Sequence, residues 1–379
     1  MTDLPQDALE KAPETITGDP AADDFQALHE IVAAAHRALD RNMWDYVAGA
    51  TETETTMRRN RLALDRIAFR PRVLNDVSRI DSGAEFLGKS VRLPLALAPV
   101  GGLESLGHEG GLTVARAAGE AGVPFFLSSV SQLGLEQVAA AATGPKVFQL
   151  YVRGGDDFVD DHVRRAVDAG YDAFCITVDS AIYSRRERDI ANRFAKPWRG
   201  ATPGMQHQAG LNWDQVRRMR ERCAIPVMLK GIATAEDAEL CCREGIDVVY
   251  VSNHGGRQLD HGLGSLDVLP EVVQAVAGRA KIMVDGGVSR GTDVVKAIAL
   301  GADAVGIGRL YCYGLAAAGV AGIVRVIELL ELEVQECLGL LGLASFAGLD
   351  ASFVRRAEPV ADPRAHSAFP LLSLPEQRY

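Results

Sequence analysis

The chain has 379 residues with a formal net charge of −10, and it contains no basic run, so we expect no nucleic-acid partner. Hydrophobic residues make up 47% of the sequence and glycines number 38, which predicts a substantial core connected by many tight loops. The six cysteines lack metal-ligand spacing and are typical of reduced thiols in a cytoplasmic protein. Because the sequence shows neither a signal-peptide pattern nor a run of about 20 apolar residues, we expect no membrane partner.

Composition divides the sequence into three parts. Residues 1–24 are rich in Asp, Glu, Pro and Ala and lack apolar periodicity, which predicts a flexible N-terminal arm. Residues 25–356 carry the patterned sequence, which we interpret as one domain that begins with a helical cap over residues 25–93. Residues 357–379 are rich in proline, which predicts an extended C-terminal tail.

Eight short apolar runs alternate with helix-like stretches from residue 94 onward. Each run is apolar on both faces, as a buried parallel strand is. The runs are Pro94–Pro99, Pro124–Ser129, Lys146–Tyr151, Ala173–Asp179, Ile225–Lys230, Asp247–Ser252, Lys281–Asp285 and Ala304–Gly308. Eight such units predict an α/β fold, a TIM (β/α)8 barrel with an N-terminal helical cap and a C-terminal helix. A Rossmann-like open sheet is the alternative, but no G-x-G-x-x-G motif follows the first run.

Helix boundaries are predicted from periodicity and glycine. The pattern predicts helices over Gly111–Ala121, Asp161–Ala169 and Gly322–Leu341. Several strands are entered through a glycine, which we interpret as the left-handed residue just beyond a helix end. These glycines are Gly122, Gly170, Gly245 and Gly301.

Polar residues and glycines close nearly every apolar run. In a TIM barrel the C-terminal strand ends form the active site. The residues at these ends are Pro99, Val100, Gly101, Ser128, Gln149, Tyr151, Thr177, Asp179, Lys230, Ser252, His254, Asp285, Gly308 and Arg309. A barrel that served only as structure would not need this pattern, so it indicates a catalytic face.

The segment Ser252–Asp260 carries the most specific signal. His254 can exchange a proton near neutral pH, and Arg257 offers a rigid fork of donors that suits a carboxylate. Gly255 and Gly256 allow a sharp turn and a close approach of a ligand. The segment therefore indicates proton abstraction from a small organic acid.

Glycine-rich turns follow the last two runs. Asp285–Gly291 and Gly306–Arg309 expose backbone N–H groups at the usual phosphate position of this fold. Arg290 and Arg309 are expected to add positive charge there. The pattern predicts a phosphorylated substrate or cofactor.

These motifs together resemble the FMN-dependent L-2-hydroxy acid oxidases and dehydrogenases, which include glycolate oxidase, lactate and mandelate dehydrogenases and hydroxymandelate oxidase. The resemblance runs from about Phe25 to Ser345 and implies oxidation of an L-2-hydroxy acid to a 2-oxo acid. The motifs that carry it are Ser252–Asp260, Thr177–Asp179, Phe148–Tyr151, Leu229–Gly231, Asp285–Gly287 and Gly308–Arg309.

The resemblance also implies the residues that hold FMN. Lys230 is expected near N1/O2 of the flavin, where its charge would stabilise the reduced form. The isoalloxazine would be lined by Pro99, Val100, Gly101, Ser128, Gln149 and Thr177. The ribityl phosphate would be held by Ser252, Asp285, Gly286, Gly287, Ser289, Gly308 and Arg309.

The implied chemistry centres on His254 as the base, oriented by Asp179. His254 would take either the α-proton or the hydroxyl proton while two electrons pass to flavin N5, so carbanion and hydride transfer both stay open. Arg186 and Arg257 would hold the substrate carboxylate, with Tyr46 and Tyr151 as further catalytic and substrate-binding groups. The resemblance implies oxygen or another electron acceptor, such as a quinone or a redox protein, and a homotetramer or higher homo-oligomer.

The sequence departs from this family at four places. Gly101 stands where many oxidases carry alanine, which puts rapid use of oxygen in doubt. Val130 replaces an aromatic residue, which predicts a substrate larger than glycolate. The segment between Phe194 and Leu211 is short, which predicts a reduced lid. Ser289 replaces an arginine of the phosphate turn, which predicts weaker FMN binding.

Three alternatives stay open. One is oxidation of a related hydroxylactone or alcohol. The second is another FMN barrel activity, such as a type 2 isopentenyl diphosphate isomerase. The third is a barrel that has kept the fold without redox activity. The combination of His254 with Arg186 and Arg257 favours a carboxylate substrate over these.

Overall fold

The computed structural model describes residues 24–196 and 204–374, and its centre is a closed barrel of eight parallel strands. The strands are β4 (Leu95–Leu97), β5 (Phe125–Ser128), β6 (Lys146–Leu150), β7 (Ala173–Thr177), β8 (Val227–Ile232), β9 (Val248–Val251), β10 (Lys281–Val284) and β11 (Ala304–Ile307). They pair in chain order, and β11 closes on β4. All eight coincide with the apolar runs, so the predicted TIM barrel is confirmed.

The barrel interior is filled with side chains. Phe126, Tyr250, Met228 and Met283 are almost completely buried inside it, together with Cys175. Such layers of large residues make the barrel a packed core rather than a pore. A ligand site is therefore confined to the barrel ends.

Thirteen α-helices lie in the described part of the chain, most of them around the barrel. Those that precede the barrel are α1 (Leu28–Ala38), α2 (Arg41–Ala48) and α3 (Thr55–Asp65). The others are α4 (Gly111–Ala121), α5 (Leu135–Ala141), α6 (Asp156–Asp168), α7 (Glu187–Ala191), α8 (Met205–Ala209), α9 (Trp213–Arg222), α10 (Ala235–Arg243), α11 (Ser265–Val276), α12 (Gly291–Ala299) and α13 (Arg309–Leu341). Gly122, Gly170, Gly245 and Gly301 all have positive φ beyond a helix end, which confirms their predicted role.

Three boundaries differ from the sequence prediction. Helix α6 begins at Asp156 rather than Asp161, because Asp156 and Asp157 form a favourable acidic first turn. Helix α13 begins at Arg309 rather than Gly322, although its backbone is broken at Ala318 and Gly319. Strand β8 continues to Ile232 through an irregularity in its pairing with β9 after Lys230.

Small β elements complete the domain. β1 (Ile67–Phe69) pairs antiparallel with β12 (Val354–Arg356), so the end of the domain is joined to its N-terminal cap. β2 (Ala84–Phe86) and β3 (Lys89–Val91) form an antiparallel pair whose Phe86 and Val91 belong to the same core cluster as the barrel interior.

The C-terminal tail packs against the domain. Residues 357–374 contain no helix or strand, yet Phe369 is only 3% exposed and the ring of His366 stacks on Trp44 at 5.2 Å. The predicted N-terminal arm lies outside the described residues except for Asp24, as do residues 375–379 of the tail. None of the helices in the described ranges is both long enough and apolar enough to cross a membrane.

Candidate active site

A deep pocket opens at the C-terminal ends of the barrel strands. It is covered from one side by the N-terminal cap, which contributes Tyr46 and Met57. Fifteen of the sequence-predicted residues line it: Tyr46, Pro99, Val100, Gly101, Tyr151, Arg186, Lys230, His254, Arg257, Asp285, Gly286, Gly287, Ser289, Gly308 and Arg309. The other five are buried or nearly so and lie outside this lining: Ser128, Gln149, Thr177, Asp179 and Ser252.

His254 and Asp179 form a hydrogen-bonded pair at this pocket. Nδ1 of His254 lies 3.1 Å from Oδ1 of Asp179, and Nε2 lies 3.3 Å from the Tyr151 hydroxyl. The His254 backbone is left-handed, with φ of 59°, a conformation that is uncommon outside glycine and is often found at functional sites. Gly231 allows the close approach of Asp179, because a Cβ at Gly231 would lie 2.7 Å from the Asp179 Cβ.

The environment of His254 keeps its imidazole neutral. Burial lowers the pKa of His254, and Lys230 and Arg186 act in the same direction. The Asp179 carboxylate raises the pKa of His254, but the net change is downward. The pKa of Asp179 is itself lowered, because its interactions with His254 and Lys230 outweigh the effect of burial. A neutral imidazole beside a carboxylate is a base that can accept a proton and then be stabilised as a cation.

Arg257 and Arg186 bring positive charge to the same pocket. Nη1 of Arg257 donates to the carbonyls of Tyr46 at 2.6 Å and Gly49 at 2.8 Å, which ties it to the end of α2. Burial and the neighbouring Arg186 lower the pKa of Arg257 to about 10, so it stays protonated at neutral pH. Nε of Arg186 is buried and has no hydrogen-bond partner within the described residues.

Tyr46 lies between these cations. Its hydroxyl donates to the carbonyl of Gly101 at 3.0 Å, and its ring lies 4.9 Å from the Arg257 guanidinium. The Arg186 guanidinium lies 5.9 Å from the Tyr46 ring and 5.4 Å from the Tyr183 ring. The aromatic rings therefore hold two guanidinium groups in a part of the pocket that can accept an anion.

A buried polar network surrounds Lys230. Its Nζ donates to Oγ of Ser252 at 2.8 Å and lies 3.2 Å from Oδ2 of Asp285. Ser252 in turn donates to Oδ1 of Asp285 at 2.6 Å. Burial alone would lower the pKa of Lys230, but Asp285 and Asp179 outweigh it and the pKa is raised. Lys230 therefore carries a fixed positive charge against the pocket.

Gln149 on β6 and Thr177 on β7 each carry a buried polar atom that lacks a partner among the described residues. Nε2 of Gln149 and Oγ1 of Thr177 have no hydrogen bond within the described chain, and both side chains are fully buried. Oε1 of Gln149 accepts from the Ser128 hydroxyl at 2.7 Å, which fixes the orientation of the amide. Unsatisfied buried groups are costly in free energy, so this pattern indicates polar atoms of a bound molecule.

The glycine turns after β10 and β11 form the other end of the pocket. Gly286 and Gly287 have positive φ, and Asn60 of α3 approaches so closely that a Cβ at Gly287 would lie 3.0 Å from the Asn60 Cβ. Asp293 accepts from the backbone N–H of Ser289 at 3.0 Å and is paired with Arg61 at 2.8 Å. This buried pair fixes the turn at the start of α12.

One expected cation is directed elsewhere. Arg290 forms an ion pair with Glu333 of α13 at 2.5 Å, and its Nη1 donates to the carbonyl of Ala368. Arg309 does line the pocket, but its Nη2 and Nε donate to the carbonyls of Gly49 and Val47. The prediction that Arg290 supplies charge to the phosphate position is therefore not supported.

Comparison with known proteins gives the family. The family model of the FMN-dependent dehydrogenases matches residues 35–356. The chain belongs to this family. It is therefore an FMN-dependent oxidoreductase of the 2-hydroxy acid oxidase and dehydrogenase group.

Curated relatives support the same assignment. The chain is 41% identical to glycolate oxidase 1 of Oryza sativa subsp. indica over 315 residues. The matched segment covers 77% of this chain and 85% of the relative. It is 39% identical over 317 residues to L-lactate oxidase of Lysinibacillus sphaericus, with 76% of this chain and 82% of the relative covered.

Solved structures share the fold closely. A mandelate oxidase structure with (S)-mandelic acid is 39% identical, with a TM-score of 0.82 over 89% of this chain and 100% of the other. A chimera of (S)-mandelate dehydrogenase is 34% identical, with a TM-score of 0.82 over 87% of this chain and 99% of the other. Another mandelate oxidase structure holds a C4a-OH-FMN adduct; it is 39% identical, with a TM-score of 0.80 over 88% of this chain and 100% of the other.

The residues of the pocket fit FMN. The unpartnered Nε2 of Gln149 and Oγ1 of Thr177, on the two barrel strands before the one that carries Lys230, suit the polar edge of a flavin ring. The open turn at Gly308, where a Cβ would meet no atom within 4 Å, suits a phosphate. Both ends of the cofactor thus have matching groups in this chain.

Several lining residues were missed from the sequence. Asn60 pairs reciprocally with Asn253 at 2.7 and 2.9 Å, so it locks α3 to the loop that carries His254. Arg364 and Ala365 of the tail also line the pocket. Asn60 lies in the polar helix α3, and Arg364 lies in the proline-rich tail. The local sequence around each residue has no pattern that indicates a binding site.

Proposed function

We propose that the protein oxidises an L-2-hydroxy acid larger than glycolate to the 2-oxo acid, with His254 as the base. FMN, when bound, supplies the acceptor for the two electrons. The observation that carries the proposal is the His254 ring, held by Asp179 on one nitrogen and directed at Tyr151 with the other, in a pocket that also contains Arg186 and Arg257.

His254 receives the proton at Nε2 in this proposal. Nδ1 is occupied by Asp179, which fixes the tautomer with the proton on Nδ1 and leaves Nε2 free as an acceptor. Once His254 is protonated, the adjacent carboxylate offsets the cost of a buried cation. Tyr151 is close enough to exchange a hydrogen bond with the same nitrogen or with the substrate oxygen.

Arg257 and Arg186 bind the substrate carboxylate. Nη1 of Arg257 is held by carbonyls of α2, so the remaining donors of the guanidinium are oriented before substrate arrives. The unpartnered Nε of Arg186 provides a further donor. Two cations in the same part of the pocket favour an anion here over a neutral alcohol or lactone.

The outer pocket favours a side chain beyond that of glycolate. Val130 lines it next to Gly101, and Ile182, Tyr183 and Met205 add apolar surface. Ile182 is 80% exposed, which leaves an apolar face for a substrate side chain to cover. Burial of that surface would stabilise the complex by roughly 25 cal/mol per Å².

The proposal is tested by comparing kcat/KM for glycolate, L-lactate, L-2-hydroxy acids with longer alkyl chains, and L-mandelate. We expect kcat/KM to rise with side-chain size. If glycolate were the best substrate, the size assignment would be wrong while the oxidation of 2-hydroxy acids would stand. If only lactones or neutral alcohols reacted, the carboxylate site at Arg257 would be wrong.

Other expectations remain predictions. Oxygen or another electron acceptor re-oxidises the cofactor. Gly101, which stands where many oxidases carry alanine, favours an acceptor other than oxygen. A cytoplasmic location is proposed from the composition, and a homotetramer from the family resemblance.

A further inference from the structure

We propose that Arg364 of the C-terminal tail is a phosphate-binding residue for FMN. It adds a cation to the glycine-turn end of the pocket from a segment outside the matched family region. The proposal concerns the same FMN pocket as the proposed function. It assigns a role to residues 357–374, which lie beyond the matched residues 35–356.

The tail is anchored at the glycine-turn end. Nε2 of His366 and the hydroxyl of Tyr313 form a hydrogen bond of 2.9 Å. Tyr313 lies one turn beyond Arg309 in α13. The carbonyl of Ala368 accepts from Arg290, the residue that follows Ser289. The tail is therefore tied to neighbours of both glycine turns, and Arg364, two residues before His366, lines the same pocket.

The tail is held by packing as well as by these bonds. The ring of Phe369 is 3% exposed and makes an edge contact with His29 at 5.8 Å between centroids. Local backbone bonds between Arg364 and Ser367, and between His366 and Phe369, shape a turn. A tail with a buried aromatic anchor and an internal turn presents Arg364 in a defined place.

The charge of Arg364 is not used by the protein. At this end of the pocket, Arg61 is paired with Asp293, and the guanidinium of Arg309 donates to backbone carbonyls. The guanidinium of Arg364 has no hydrogen bond or ion pair within the described residues. Ser289, at the turn itself, is neutral and donates to the carbonyl of Gly287.

A phosphate carries more negative charge than Arg309 and the glycine turns offset. A phosphate monoester has close to two negative charges at neutral pH, whereas Arg309 supplies one full positive charge and backbone N–H groups only partial ones. An unpaired guanidinium at the pocket mouth is suited to such an oxyanion. Because Arg364 is exposed, salt screens the interaction, so its contribution is moderate and depends on ionic strength.

The test measures FMN and riboflavin release from the full-length holoprotein. Flavin fluorescence after dilution gives Kd for wild type, Arg364→Ala, Arg364→Lys and Arg355→Ala. Arg355 is an exposed arginine outside the pocket lining and serves as the matched control. We expect Arg364→Ala to raise the FMN Kd by about three- to tenfold at low salt, and less at high salt. The riboflavin Kd should not change, because riboflavin lacks the phosphate.

Each other outcome overturns the assignment. An unchanged FMN Kd means that Arg364 does not contact the phosphate. An equal rise for FMN and riboflavin means that the substitution only loosens the tail. These results are independent of the proposed function. If the protein bound FMN but no 2-hydroxy acid reduced the flavin, the proposed oxidation would be wrong, and the role of Arg364 in FMN binding would stand.

Discussion

The imidazole of His254 and the carboxylate of Asp179 lie 3.1 Å apart at the end of two different barrel strands. Asp179 follows β7 and His254 follows β9, so the two side chains meet because both strands pair with β8 between them. Gly231 on β8 leaves the space that Asp179 needs. The His254–Asp179 pair is thus a direct product of strand order.

Asp179→Asn should slow reduction of the bound FMN by about 10²- to 10⁴-fold, because the imidazolium would lose its stabilising partner. Asp179 raises the pKa of His254 against the effect of burial, so its removal should lower that pKa further. The rate falls when His254 becomes protonated, so the acid limb of the pH profile should move to lower pH. Stopped-flow measurement of anaerobic reduction across pH checks both effects.

The bound-FMN spectrum serves as the folding control for Asp179→Asn. A variant with the wild-type spectrum, rate and acid limb would show that Asp179 does not act on His254.

Arg257→Lys should raise KM for the acid by roughly tenfold or more, with a smaller change in kcat. The reason is that a lysine cannot bind the carbonyls of Tyr46 and Gly49 and also form a forked contact with a carboxylate. The methyl ester of the same acid, which has no carboxylate charge, should show little further loss in the variant. Steady-state kinetics with both substrates tests this. Equal losses for acid and ester would contradict the carboxylate assignment.

Gly101→Ala should disturb the pocket through Val130. A Cβ at position 101 would lie 2.3 Å from Cγ2 of Val130, which forces one of them to move at a cost of about 1–3 kcal/mol. We expect kcat/KM for L-mandelate to fall in Gly101→Ala and to recover in Gly101→Ala combined with Val130→Ala. Val130→Ala alone is the control. A double variant no better than Gly101→Ala would show that the effect does not pass through Val130.

The docked tail should loosen at acid pH through His366. Burial, followed by the charges of Arg309, Arg188 and His36, lowers the pKa of His366 to about 4, with Glu54 opposing. A released tail has an ordinary histidine with a pKa near 6.5, so it binds a proton that the docked tail does not. Docking is therefore fully stable above about pH 6.5 and weakens as pH falls toward 4.

Hydrogen exchange of residues 364–372 across this pH range tests the expectation. His366→Phe keeps the stacking on Trp44 but cannot be protonated, so its exchange should lose most of the pH dependence. A wild-type tail whose protection is the same at both ends of the range would contradict the prediction.

The barrel could be predicted because each strand appears in the sequence as a short apolar run. Several helix ends could be predicted too, because a glycine follows each of them. His254, Arg257 and the glycine turns were also visible, because they stand next to such strands in the sequence. The Asn60–Asn253 pair and the placement of Arg364 were not, since they join segments far apart in the chain. Arg290 was assigned to the phosphate position because nothing in the local sequence showed its partner Glu333, which lies on α13.

The most direct test of the central claim is an anaerobic titration of the FMN-loaded protein with the L and D forms of lactate and mandelate, followed by absorbance of the visible flavin band. The account predicts bleaching by an L-acid in wild type, no bleaching by its D form, and loss of bleaching in His254→Ala despite an unchanged spectrum of bound FMN. Bleaching of His254→Ala at the wild-type rate would contradict His254 as the base. The absence of bleaching by any 2-hydroxy acid in flavin-loaded wild type would contradict the proposed function itself.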